Sequence, residues 1–170
     1  MRPSQGPILL VLLGSVGTLL VLAPMAMGGN STRPLHLLVK DQAEDGVYWC
    51  TGVEEGDGVV VEFLHSYERF PVREEYFIEG PERIRLVRIV SRSMLNGQGF
   101  WSGKLELRGD GWAEIEGWET LLERIEFIMG SPDLANHRLI FRGRSFSLSS
   151  KIAPGTQVAV EVQEGECEKE

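Results

Sequence analysis

Val59–Glu79 reads VVVEFLHSYERFPVREEYFIE, and this stretch decides the fold of the chain. It contains two runs rich in β-branched and aromatic residues, separated by the polar joint HSYERFP at residues 65–71. Such runs are typical of strands. Because Pro71 cannot donate a backbone hydrogen bond to a neighbouring strand, it belongs at a strand start, an edge or a bulge. The stretch therefore predicts two strands that meet at the joint.

Each of the two predicted strands carries an apolar row that a polar side chain ends or interrupts. Because side chains alternate between the faces of a strand, we expect Glu74 to lie on an otherwise apolar face. A buried carboxylate is costly unless it is paired, so Glu74 should have a cationic or hydrogen-bonding partner, and His65 is a candidate if the strands pair. Two interpretations are open: a pair at the rim that sets the strand register, or a site for a small ligand or a metal. The two rows are Val59, Val61, Phe63 and His65, and Val72, Glu74, Tyr76 and Ile78.

An uncharged apolar segment precedes these strands. Residues 8–29 read ILLVLLGSVGTLLVLAPMAMGG, which is long enough to span a bilayer as a helix. Arg2 lies in front of the segment, which predicts a cytoplasmic amino end and export of the rest. A cleaved secretory signal is the alternative, because Ala26–Gly28 fits a small-x-small cleavage site. We expect residues 1–29 to be a membrane anchor or signal segment, with the anchor favoured. The C-terminal domain would then lie outside the cytoplasm at the cell membrane, or be secreted after cleavage.

The charge and the cysteines restrict the classes of partner. The formal net charge is −8, and an acidic exported domain is a poor partner for nucleic acid.

Outside the cytoplasm, Cys50 and Cys167 could form a disulfide. However, Cys167 lies in the tail EGECEKE, which has the composition of a disordered segment. The sequence therefore leaves this disulfide open, and two such distant cysteines are no zinc signature.

The rest of the chain alternates short strand patterns with turn signals. Residues 30–34 form a polar linker, residues 35–162 carry the strand patterns, and residues 163–170 are expected to be an acidic disordered tail. About ten short strands with hardly any amphipathic helix pattern are typical of an antiparallel β protein. We therefore predict an all-β domain, either an antiparallel sandwich or a partly closed barrel, preceded by one N-terminal apolar helix.

A second hairpin is predicted near the end of the domain. Residues 137–149 read HRLIFRGRSFSLS, with Gly143-Arg144 as a two-residue turn. His137 continues the apolar face of the first strand, so a second histidine ends an apolar row. The register predicts two cross-strand pairs, Phe141 with Phe146 and Leu139 with Leu148.

Four common motifs of catalytic and nucleotide-binding sites are missing from the sequence. It contains no G-x-S-x-G elbow, no H-E-x-x-H pair, no C-x-x-C and no P-loop. This pattern favours a non-catalytic role and leads us to predict no cofactor, although a divalent metal stays an alternative.

The metal alternative depends on where two strand ends meet. If both ends reach the same rim, a cluster of two histidines and two carboxylates could form, a composition that suits a transition metal such as zinc. A nearby Arg138 or Arg92 would instead favour an anion or carboxylate pocket, because guanidinium pairs with such groups in a bidentate manner. The cluster would consist of His65, Glu68, Glu74 and His137.

Three motifs occur together in order along the chain. They are HSYERFPVREE at residues 65–75, SRSMLNGQGF at residues 91–100 and NHRLIFRGRSFSLS at residues 136–149, followed by Gly155-Thr156. In this combination the chain resembles the domain-of-unknown-function 1850 family of small exported proteins. The residues on the motif positions are His65, Ser66, Pro71, Val72, Glu74, His137, Arg138 and Leu139.

The resemblance implies a partner but no activity. Genes of this family often lie beside tripartite ATP-independent periplasmic (TRAP) transporters and their TAXI-type solute receptors. We therefore expect a membrane-anchored extracytoplasmic β domain that serves a TRAP-type transporter as a non-catalytic accessory or binding module. The alternative is a metal-binding protein or metal-dependent hydrolase that uses His65, Glu74 and His137. The candidates for ligand or partner binding are His65, Ser66, Glu68, Pro71, Glu74, His137 and Arg138.

Overall fold

A computed structural model describes residues 33–44, 46–92 and 103–167, without the side chains of Trp118 and Glu119. The expected anchor or signal segment, residues 1–29, lies outside these ranges. Within them the chain forms strands and no helix, so no described helix is long and apolar enough to cross a membrane. The strands are β1 Leu35–Asp41, β2 Val47–Val53, β3 Gly58–Leu64, β4 Pro71–Gly80, β5 Arg83–Ser91, β6 Lys104–Leu107, β7 Ala113–Leu122, β8 Arg124–Ile128, β9 Arg138–Phe141, β10 Arg144–Ser147 and β11 Gln157–Glu164.

The strands form two antiparallel sheets that pack around a common core. One sheet has four strands in the order β2-β1-β11-β8, and the other has seven in the order β10-β9-β3-β4-β5-β7-β6. The predicted all-β fold is confirmed, and neither sheet of described strands closes into a barrel. The short step from β7 to β8 carries the chain from the larger sheet to the smaller one.

The stretch of residues 59–79 forms the predicted pair of strands at the centre of the larger sheet. β3 pairs antiparallel with β4, with Val61 opposite Glu74 and Leu64 opposite Pro71. Pro71 starts β4, where a missing backbone donor is tolerated. Within the strands both apolar rows face the core as the alternation predicts, whereas His65 lies beyond the end of β3. The fully buried members of the rows are Val59, Val61, Val72 and Ile78.

The hairpin of β9 and β10 is formed, but its predicted register is wrong. Phe141 pairs with Arg144, and Leu139 pairs with Phe146. The turn therefore consists of Arg142 and Gly143, whose φ angles are 47° and 72°. Positive φ at both central positions is the geometry of a type I′ turn, which matches the twist of a hairpin and places glycine second. The turn geometry thus moves the register by two residues.

A disulfide joins Cys50 of β2 to Cys167, with 5.8 Å between the Cα atoms. β11 runs to Glu164, and the backbone N–H of Gly165 donates to the carbonyl of Pro34 at 3.0 Å. Residues 163–167 are therefore held against the sheet, in contrast to the disordered tail expected from residue 163. The last three residues, 168–170, lie outside the described ranges.

Candidate functional site

A cleft of about 440 Å³ lies along β8, the edge strand of the smaller sheet, and is lined by residues of both sheets. Two of the predicted site residues, Glu74 and His137, line it. Six of its ten lining residues are aliphatic or aromatic, and its charged and imidazole groups come from β4, β8 and the segment before β9. The lining residues are Val61, Phe63, Glu74, Tyr76, Leu122, Arg124, Ile125, Glu126, Phe127 and His137.

Glu74 is half-buried and accepts a hydrogen bond from the Tyr76 hydroxyl at 2.7 Å. Burial raises the pKa of Glu74, and the hydrogen bond from Tyr76 opposes this rise. Burial and the nearby Glu74 carboxylate raise the pKa of Tyr76, so its hydroxyl stays protonated and donates. Glu74 therefore has the hydrogen-bonding partner that its position requires, but this partner is Tyr76, the next residue on the same strand face.

His137 is buried between two aromatic rings, one from each sheet. Its ring centroid lies 5.5 Å from that of Phe63 and 4.8 Å from that of Phe127, and both pairs are stacked. Its Nδ1 accepts the backbone N–H of Gly130 at 3.3 Å. Burial lowers the pKa of His137, so the ring is neutral at pH 7. Because Nδ1 is an acceptor, the proton of the neutral ring is on Nε2, which is the donor left for a ligand.

His65 lies at the same end of the sandwich as His137 but does not line the cleft. The two loops touch there, because the backbone N–H of Leu64 donates to the carbonyl of Ala135 at 2.7 Å. The His65 Nδ1, however, accepts the backbone N–H of Glu68 at 3.2 Å within its own turn. Since Glu74 pairs with Val61, four residues of strand, about 13 Å, separate it from His65. The structure does not form the His65–Glu74 pair that the sequence suggested.

The other predicted residues also lie outside the cleft. Ser66 is exposed in the turn, Glu68 is half-buried in it, and Pro71 begins β4. Arg138 is exposed and pairs with Glu62, so it faces away from the row of His137. In the described ranges, no three histidine, cysteine, aspartate or glutamate side chains lie close enough to hold a metal ion. The expected cluster of two histidines and two carboxylates is therefore not assembled there.

Two residues of β8 in the cleft were missed by the sequence analysis. Arg124 and Glu126 form an ion pair with 2.5 Å between Nε and Oε1, and each side chain is about half exposed. They are two apart on a strand, so they share a face, but this pattern is equally typical of a solvent-exposed edge. Only the three-dimensional structure, in which the edge strand β8 shares the cleft lining with β3 and β4, identifies them as site residues.

Gly130 holds His137 in place and offers a direct test of this geometry. A Cβ added at Gly130 would overlap the Cβ of Ala135, whereas one added at Gly52 would meet nothing within 4 Å. We expect Gly130→Ala to lower the free energy of unfolding by about 1–3 kcal/mol, as overpacking does. Urea unfolding checks this, with Gly52→Ala as the matched control. Equal stabilities of the two variants would contradict the tight packing around Gly130.

A family model described as a domain of unknown function (DUF1850) matches residues 59–148. No curated protein and no solved structure matches the chain. The matched range runs from β3 to just beyond β10 and contains every residue that lines the cleft. The cleft is therefore built entirely within the family's domain.

Proposed function

We propose, on the premise that the chain belongs to the DUF1850 family, that it is a non-catalytic binding module. In this proposal it works outside the cytoplasm as an anchored accessory of a TRAP-type solute transporter. The observation that carries the proposal is the cleft with its polar groups, the half-buried Glu74 and the buried Tyr76 and His137.

The shape and lining of the cleft support ligand binding. A volume of about 440 Å³ falls in the range of small-molecule sites, roughly 300–1,000 Å³. Such sites combine apolar walls with a few polar groups that orient the ligand. Here the walls come from both sheets, and Glu74 and His137 supply an acceptor and a donor. A ligand could thus be held by its apolar body and oriented by these two groups.

The same lining supports binding rather than covalent chemistry. The described residues that line the cleft include none of the hydroxyl, thiol and amine nucleophiles serine, threonine, cysteine and lysine. The Glu74 carboxylate and the Tyr76 hydroxyl are hydrogen-bonded to each other. His137 uses Nδ1 to accept the Gly130 N–H, so this atom is not available as a base. The alternative of a metal-dependent function requires His65, Glu74 and His137 together. Glu74 and His137 line the cleft, but His65 is held in its own turn, so no observation favours this alternative.

The disulfide supports a location outside the cytoplasm. Disulfides persist in oxidising compartments and are rare in the cytosol, and Cys50–Cys167 is formed. The apolar residues 8–29 would supply the anchor. Together these features would hold the binding domain at the outer surface of the membrane, where a transporter accessory would act.

Co-purification tests the transporter role. The tagged full chain is expressed together with the TRAP membrane subunits and a TAXI-type receptor from the same organism, and is purified in mild detergent. We expect the transporter subunits or the receptor to co-elute with it, and not with an unrelated single-pass protein that carries the same tag. Repeated failure to recover either partner would contradict the proposal.

A further inference from the structure

We propose that the cleft binds a small organic cation, with an ammonium group paired to the Glu74 carboxylate and an apolar body against the aromatic walls. This inference rests on the proposed function, because it names the ligand class of the binding module. It follows from the charges, the rings and the hydrogen bonds of the lining residues.

Among the described residues that line the cleft, the Glu74 carboxylate has no cationic side chain as its partner. Among the described lining residues, Arg124 is the only arginine or lysine, and it is engaged by Glu126 at 2.5 Å. His137 is neutral because burial lowers its pKa. Glu74 has the Tyr76 hydroxyl as its hydrogen-bond partner, which neutralises no charge. With Glu74 ionised, the lining therefore has a negative excess that an ammonium ligand would balance.

The aromatic lining suits the same ligand. Phe63 and Phe127, which stack on His137, and Tyr76 all contribute ring surface to the wall, against which an apolar body can pack. The aliphatic side chains of Val61, Leu122 and Ile125 supply surface for an apolar body. An anionic ligand would meet two carboxylates in this cleft, and the one guanidinium there is already paired.

Proton release should accompany binding. Burial raises the pKa of Glu74, and a bound cation would favour the ionised carboxylate and lower that pKa again. Affinity should therefore fall as the pH drops through the Glu74 pKa. The other titratable groups that face the cleft are Tyr76, Arg124, Glu126 and His137. A protonated His137 at low pH would add positive charge, so it acts in the same direction.

Three probes of similar size separate the ligand classes: 2-phenylethylammonium, 2-phenylethanol and 3-phenylpropionate. Binding to the full chain in nanodiscs is measured by calorimetry at pH 8. We expect the ammonium to bind about 10- to 100-fold more tightly than the other two, as a charge-assisted hydrogen bond allows. Glu74→Gln should reduce this preference to about threefold or less. Glutamine has the size of glutamate, and its amide oxygen can still accept the hydrogen bond from the Tyr76 hydroxyl. The unfolding temperature of the Glu74→Gln variant at pH 8 should therefore not fall below that of the natural chain.

A neighbouring residue provides the matched control. Glu75 also lies on β4, but it faces the other way and pairs with Arg88 at 2.6 Å. Glu75→Gln changes the net charge by the same amount and should leave the ammonium preference unchanged. Equal loss in both variants, tighter binding of 3-phenylpropionate, or no binding of any probe would overturn the inference. Tighter binding of 3-phenylpropionate would contradict the cationic ligand but would agree with the role as a binding module. The co-purification experiment tests the transporter role separately.

Discussion

Removing the Cys50–Cys167 disulfide is expected to lower the free energy of unfolding by about 4–5 kcal/mol. The bridge joins positions separated by 117 residues along the chain. A cross-link over so long a loop restricts the unfolded chain strongly, and its loss restores that conformational freedom. The bridge also ties the end of β11 to β2, an edge strand of the four-stranded sheet. Its loss should therefore loosen the smaller sheet first.

Denaturant unfolding of the oxidised chain, the reduced chain and the Cys50→Ser/Cys167→Ser double variant measures this effect. The reduced chain and the double variant should have the same free energy of unfolding, because both lack the cross-link while all other contacts stay the same. If the free energy of unfolding decreased by less than about 1 kcal/mol in both the reduced chain and the double variant, the bridge would contribute little to stability. A large decrease only on reduction would point to an effect of the reductant itself.

Leu139→Ala is expected to lower the free energy of unfolding by about 3–5 kcal/mol. Leu139 is 0% exposed and belongs to the core between the sheets. Its strand neighbours are Val61 of β3 and Phe146 of β10, so the hairpin and the central strands pack around it. The substitution removes buried methyl groups and leaves a cavity that strand pairing prevents from collapsing.

The same substitution at an exposed leucine isolates the effect of burial. Leu107 lies in β6 at the edge of the larger sheet and is 64% exposed. Leu107→Ala should change the free energy of unfolding by about 0.5 kcal/mol or less, as surface substitutions usually do. Thermal or urea unfolding of both variants compares them directly. Similar losses at the two positions would contradict the placement of Leu139 in the core.

The positions of the strands along the chain could be predicted from the sequence, because the alternation of apolar and polar side chains is a local property. Val59, Val61, Val72 and Ile78 repeat with the period of a strand, and all four are buried in the structure. Pro71 marks a strand start because it lacks a backbone donor. The need of Glu74 for a partner also follows from its place in an apolar row. These predictions depend only on residues that are near one another in the sequence.

The geometry of the site depended on contacts between distant parts of the chain. His137 lies between Phe63 and Phe127, and Arg124 enters the cleft only because β8 crosses to the other sheet. Strand periodicity specifies which face a side chain is on, but it does not specify which strand of the opposite sheet covers it. The disulfide has the same origin, because its cysteines are 117 residues apart. The sequence alone therefore determined the strands, their faces and the polar residues in the core rows, whereas only the packing of one sheet on the other decided which of these residues share a cleft.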